Sequence, residues 1–246
     1  MSRTFEILHG AQLRSTKIET SRVARPPLPA SSAPEDIRAG VESEIRNLVQ
    51  GLIIAQGQRA LKTVAFCGIN EGAGCSWVCA RAAEAVAALS SGRVCVVDAN
   101  IRNPTLHDQF RVENVAGFAD ALADPRPVGE FVRRTWSERL WLMTSGSAPS
   151  NPDGMLDPER LRRRVEELRH DFDYFLIDTP PMSLYSDATL LGQMADGVIL
   201  VIGSASTRRE AARMAKESLD AAGVCVLGAV LNRRTYPIPE AIYRRL

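Results

Sequence analysis

Short apolar runs alternate with longer segments whose apolar residues recur at helical spacing through most of this chain. Ile37, Val41, Ile45, Leu48, Val49 and Leu52 share one helical face up to about Gln56, and Pro34-Glu35-Asp36 marks the entry. Thr63–Cys67 then reads as a strand and 68–75 as a glycine-rich loop. Ser76–Leu89 reads as a helix with Val78, Ala82, Ala85, Val86 and Leu89 on one side. Ser91-Gly92 stops that helix, and Arg93–Val97 is a second strand leading to Asp98. Residues 114–134 look helical and loop-rich. Further strands are expected at Leu140–Thr144, Tyr174–Ile177, Gly197–Ile202 and Val224–Leu231. Helices are expected at Pro158–Arg169, Ala188–Met194 and Thr207–Ala222. This alternation predicts an α/β fold, a mostly parallel sheet flanked by helices on both faces.

The length of 246 residues suits one such domain over 37–246. Residues 1–36 are polar, basic and proline-rich, with RPPLPASSAP at Arg25–Pro34, and read as a flexible arm. A net charge of +1 argues against general nucleic-acid binding. The arginine doublets at 133–134, 208–209, 233–234 and 244–245 read as solvated faces. No segment approaches the roughly 20 apolar residues that span a bilayer. Cys67, Cys95 and Cys225 lie in apolar runs, where cysteine behaves as a small buried hydrophobe. Cys75 and Cys79 lack a second pair for zinc. An odd cysteine count without a secretory signal suggests a cytoplasmic, reducing setting.

Ligands of parallel sheets bind at the carboxyl ends of strands. Three suggestive turns fall there: 68–76, Asp98-x-Asn100 and Asp178-Thr-Pro-Pro. The first, within VAFCGINEGAGCS at Val64–Ser76, has the layout of a P-loop, in which a glycine turn and a helix N-terminus hold phosphate. Of the pattern G-x-x-x-x-G-K-[ST], Gly74 and Ser76 fit. Ile69 takes the first glycine position, with Gly68 one residue early, and Cys75 stands where lysine belongs. Gly72, Ala73, Gly74, Cys75, Ser76 and Trp77 are therefore the candidate cradle. Ser76, Asp98 and Asp178 are candidate magnesium ligands; as helix or turn caps they would serve structure alone.

VCVVDANIRNPTLHDQF and YFLIDTPP resemble the second acidic motif and the Walker B motif of bacterial tyrosine kinases, the P-loop kinases of capsule and exopolysaccharide assembly. SGSAPSNPDGML and VLGAVLNRR also match segments of that family, and the resemblance spans about residues 60–232. It implies an ATP- and ADP-binding domain with Mg2+, with Asp98 and Asp178 as the catalytic carboxylates and Arg102 and Asn232 at the nucleotide. It further implies a role in regulating polysaccharide polymerisation and export. A membrane adaptor protein would recruit the chain to the inner face of the cell membrane, and the resemblance leaves open a homo-oligomer.

The departures from the family pattern are Cys75 for lysine, Asn100 for the second acidic-motif aspartate and bulky Trp77 for a small hydroxyl residue. The tyrosine-rich tail is reduced to Tyr236 and Tyr243, and GVESEIRNLV does not match the family's ExxRxxR oligomerisation motif. Losing a charge-assisted bond worth roughly 1.5–3 kcal/mol weakens nucleotide binding about 10- to 100-fold, and phosphoryl transfer more. The expectation is a nucleotide-responsive regulator with weak or lost kinase activity. Alternatives are an active autokinase with a relocated cation (Arg102, Arg81 or Lys62), a nucleotide-free scaffold, and a partitioning-type ATPase.

Overall fold

The structure is a computed structural model that describes residues 35–54, 61–147, 156–204 and 206–233. Residues 1–34 of the expected arm at 1–36, most of SGSAPSNPDGML, and the tail tyrosines Tyr236 and Tyr243 lie outside them, while Glu35 and Asp36, expected in the arm, begin the first helix.

Every residue of β1 (Thr63–Gly68) and β2 (Val94–Asp98) is buried, as in a sheet covered on both faces. Five more strands complete the sheet: β3 (Arg133–Arg134), β4 (Leu140–Met143), β5 (Tyr174–Asp178), β6 (Gly197–Gly203) and β7 (Val226–Asn232). Their order is β3-β4-β2-β5-β1-β6-β7. Only the β3–β4 edge pair is antiparallel. Alternate residues of each strand feed two cores. On one face Val64, Phe66, Val94, Val96 and Leu176 pack under α1 (Glu35–Ile54), α2 (Cys75–Leu89) and α3 (Leu106–Phe110). On the other, Ala65, Cys67, Cys95, Val97, Phe175 and Ile177 pack under α4 (Phe118–Ala123), α5 (Pro158–Asp171), α6 (Asp187–Met194) and α7 (Arg209–Ala221).

Alanine-rich α2 suits both propensity and close packing. Ala80, Ala82 and Ala83 are fully covered. It begins at Cys75 rather than Ser76. Gly74 stands at its N-cap position without a side-chain cap, so Ser76 is not the cap.

Two expectations need correction. Cys225 is exposed, not buried, because it precedes the half-covered edge strand β7. The region 114–134 is less helical than expected: it divides into the six-residue α4, a 3-10 turn at Val128–Phe131 and the edge strand β3. Helix α3 was not expected at all.

Candidate functional site

The strand order places the carboxyl ends of β2, β5 and β1 side by side. Asp98 of β2 is in register with Asp178 of β5, and Asp178 with Phe66 of β1. The glycine loop leaves β1 two residues later, so the three suggestive turns meet at one point.

The loop is shaped by backbone conformations that glycine alone adopts freely. Gly72 and Gly74 have φ of 74° and 83°. Inside the loop the Ala73 amide donates to the Asn70 carbonyl at 3.3 Å, and the Val78 amide begins the helical ladder on the Gly74 carbonyl at 3.1 Å. Among the described residues no acceptor takes the amides of Gly72, Gly74, Cys75, Ser76 or Trp77. Unclaimed amides at a helix N-terminus are the donors an anion uses. Trp77 is half-buried and packs on the α2-side core.

Cys75 turns its thiol inward. Its Sγ donates to the Phe66 carbonyl at 3.1 Å. Burial, and next the negative charge of Asp178, push the thiol pKa well above its ordinary value. It is a neutral group and supplies no cation.

The two aspartates differ sharply. Asp98 is satisfied: Oδ2 accepts from the Thr105 and Leu106 amides at 3.0 and 2.9 Å, and Oδ1 from Asn100 N at 3.3 Å. These bonds hold the turn and cap α3. Burial still raises its pKa to about 6, with the three amides pulling the other way. Asp178 is fully buried, yet neither carboxylate oxygen completes a hydrogen bond. Burial first, then the charge of Asp98, lifts its pKa well above the ordinary value, although Ser76 and Cys75 lie close enough to oppose this. Asn100 closes the same turn, its Oδ1 accepting from Asn103 N at 3.2 Å.

A buried, unpartnered carboxylate beside a serine hydroxyl and free amides fits a magnesium–phosphate pair. Among the described residues no three His, Cys, Asp or Glu side chains gather into a metal cage. Any cation here would need phosphate oxygens as well as Asp178 and Ser76.

The remaining expected residues are engaged elsewhere. Arg102 pairs with Asp187 at 3.3 Å and stacks on Tyr185 at 4.1 Å. Its tether Asp187, 85 residues away in the chain, carried no sequence signal. Buried Arg81 pairs with half-buried Glu84 at 2.9 Å. Lys62 precedes β1, at the opposite end of the strand from the loop. The three expected replacement cations are thus held in pairs or placed far away. Asn232 does reach the site: its Nδ2 donates to the Ala73 carbonyl at 2.9 Å. A Cβ on Gly74 would overlap that amide nitrogen.

Residues 61–224 match the family model described as cellulose biosynthesis protein BcsQ. The chain is 32% identical to the tyrosine-protein kinase YwqD of Bacillus subtilis over 189 residues, covering 77% of this chain and 79% of that protein. The crystal structure of the chimerical protein CapA2B2 superposes with a TM-score of 0.75 at 26% identity, covering 82% and 88% of the two chains. The fold is also that of the septum site-determining protein MinD of Pyrococcus horikoshii, a complex with Mg-ADP. That likeness has a TM-score of 0.60 at 21% identity, covering 74% and 76%.

Proposed function

The chain belongs to the family of bacterial tyrosine kinases of capsule and exopolysaccharide synthesis, and on that premise we propose that it is a nucleotide-responsive regulator of polysaccharide polymerisation or export with weak or lost kinase activity. The observation that carries the nucleotide half is Asp178. A fully buried carboxylate whose oxygens complete no hydrogen bond, with only Ser76 and Cys75 nearby to oppose its desolvation, is destabilising, and a site that receives magnesium gives that strain a use.

The loop amides of Gly72, Gly74 and the first turn of α2 would receive the β-phosphate of ATP or ADP. Ser76 and Asp178 would hold Mg2+, which when bound neutralises charge developing on the transferred phosphoryl group. Asp98 keeps the neighbouring turn and α3 in place. Arg102, fixed by Asp187 and Tyr185, orients the 98–105 turn.

The weakness of the kinase half rests on chemistry. A neutral thiol at Cys75 cannot stabilise negative charge, and Asn100 is engaged in the turn. Recruitment to the membrane by a separate adaptor is part of this proposal and follows from the family alone; among the described residues no helix is long and apolar enough to cross a membrane.

Incubation with labelled ATP and Mg2+ tests the reading. Nucleotide should bind, while tyrosine labelling stays near background. Strong labelling that vanishes in Asp178→Asn would restore the active-kinase alternative.

A further inference from the structure

β7 ends at Asn232, and the residue after it bends into the left-handed region, with φ of 58° at Arg233. A residue that carries a Cβ holds that conformation only where its surroundings impose it. Here they do. The Asn232 side chain is tied to the loop through the Ala73 carbonyl, and its own carbonyl accepts from Ser204 N at 2.9 Å. The strand end is thus latched on both sides, and the Arg233 side chain lies along the glycine turn. A Cβ built on Gly72 would sit 3.9 Å from its Nη1, and one built on Gly74 would sit 3.8 Å from its Nε. Among the described residues no carboxylate pairs with this guanidinium and no acceptor takes its protons. A cation without a counter-ion therefore rests on the loop whose own cation is missing.

We propose that Arg233 supplies the phosphate site with the positive charge that Cys75 withholds, entering from the end of β7 instead of from α2. The inference rests on the phosphate-binding reading of the loop and adds the residue that lets the loop bind without lysine. Arginine is suited to this role, because its guanidinium is always ionised and its planar fork can grip two phosphate oxygens at once. Its length lets it act across the loop, whereas a residue at position 75 acts from beneath. The ligand class remains a nucleoside di- or triphosphate. The cation now belongs to the strand that also carries Asn232, so two consecutive residues join the loop to the last strand of the sheet.

The test is equilibrium binding of ATP and of ADP, with Mg2+, to the full chain. Arg233→Gln should weaken ATP binding about 10- to 100-fold, the range for losing one charge-assisted contact. Binding to the parent should weaken more steeply with salt than binding to Arg233→Gln. Arg233→Lys should keep most of the affinity. Adding Cys75→Lys to Arg233→Gln should recover it, because a cation returns at the ordinary position.

Arg233→Gly separates charge from folding. Glycine accepts the left-handed backbone, so this variant should melt no lower than the parent and yet bind as poorly as Arg233→Gln. If Arg233→Gln and Arg233→Gly bind both nucleotides as the parent does, the proposal is overturned and the phosphate site stands. If the parent binds neither nucleotide, the phosphate reading fails and this proposal with it.

Discussion

Asp178→Asn should make the ligand-free protein more stable at neutral pH while removing its response to magnesium nucleotide. The change keeps the side chain's shape and breaks no hydrogen bond, since neither oxygen of Asp178 completes one. It removes a charge that the fold raises in energy. Asp98 shows what burial does to a carboxylate at this end of the sheet. That carboxylate is as deeply buried and accepts three amides, yet its pKa still rises from 3.8 to about 6. At about 1.36 kcal/mol per unit, the rise costs about 3 kcal/mol once the pH exceeds the folded value. Asp178 has no such bonds and faces Asp98, so its cost is larger. The upper bound at pH 7 is the work of holding a proton on a group that ionises near 3.9 when unfolded, about 4 kcal/mol. Asp178→Asn should therefore gain stability at neutral pH, by up to about 4 kcal/mol.

The pH dependence of the gain identifies its origin. A carboxylate whose folded pKa is raised costs nothing below its unfolded pKa. Its cost grows as pH rises and levels off at the folded pKa. The gain from Asp178→Asn should therefore shrink toward zero near about pH 4, and the parent should lose more stability than the variant between about pH 4 and 7. Urea unfolding at several pH values, without magnesium or nucleotide, measures both quantities through the midpoint at unchanged slope. Equal midpoints at neutral pH would refute the reasoning. So would a gain of the same size at acid and neutral pH, because it would not come from the charge.

Native-state labelling with a thiol reagent should modify exposed Cys225 quickly and Cys75 slowly, with Cys67, Cys79 and Cys95 protected by burial and raised pKa values; fast labelling of Cys75 would show that its thiol is not held on Phe66. Gly74→Ala should cost more stability than Gly223→Ala: both positions have positive φ, about 1–2 kcal/mol for alanine, but only at Gly74 does the new Cβ overlap a side chain, that of Asn232. Equal melting temperatures for the two variants would count against the latch.

The central strands were legible because they are buried on both faces and appear as apolar runs with acidic or glycine-rich ends, whereas β3, two exposed arginines at the edge, gave no such run. Predicted boundaries fall within one or two residues for most elements. Helix α3 escaped because it is five residues long and its cap is the carboxylate of Asp98, which reaches it only after the 98–105 turn has formed. Cys225 misled because the apolar run around it belongs to an edge strand, where one side lacks a neighbour. The site carboxylates could be read from their places after strands. Their division of labour could not, since it depends on which backbone amides point at each. Arg233 looked like half of a solvated doublet. Its charge is visible in the sequence, but the left-handed turn that lays it along the loop is not.

The carbonyl of Phe66 accepts three times: from Cys75 Sγ at 3.1 Å, Thr179 N at 3.2 Å and Thr179 Oγ1 at 3.1 Å. One oxygen thus knots β1, α2 and the turn after β5, while Asn232 fastens the other side of the glycine turn. A lysine at position 75 would stretch outward and leave such a knot short of one strand. With the thiol in place, the resting loop is already fastened from within, and an arriving phosphate finds little left to order. A loop fastened in advance would lose less entropy on binding a ligand than one that must first be ordered. Under the proposed function, nucleotide arrival would register as a change of charge at Asp178 and Arg233 more than as a change of shape.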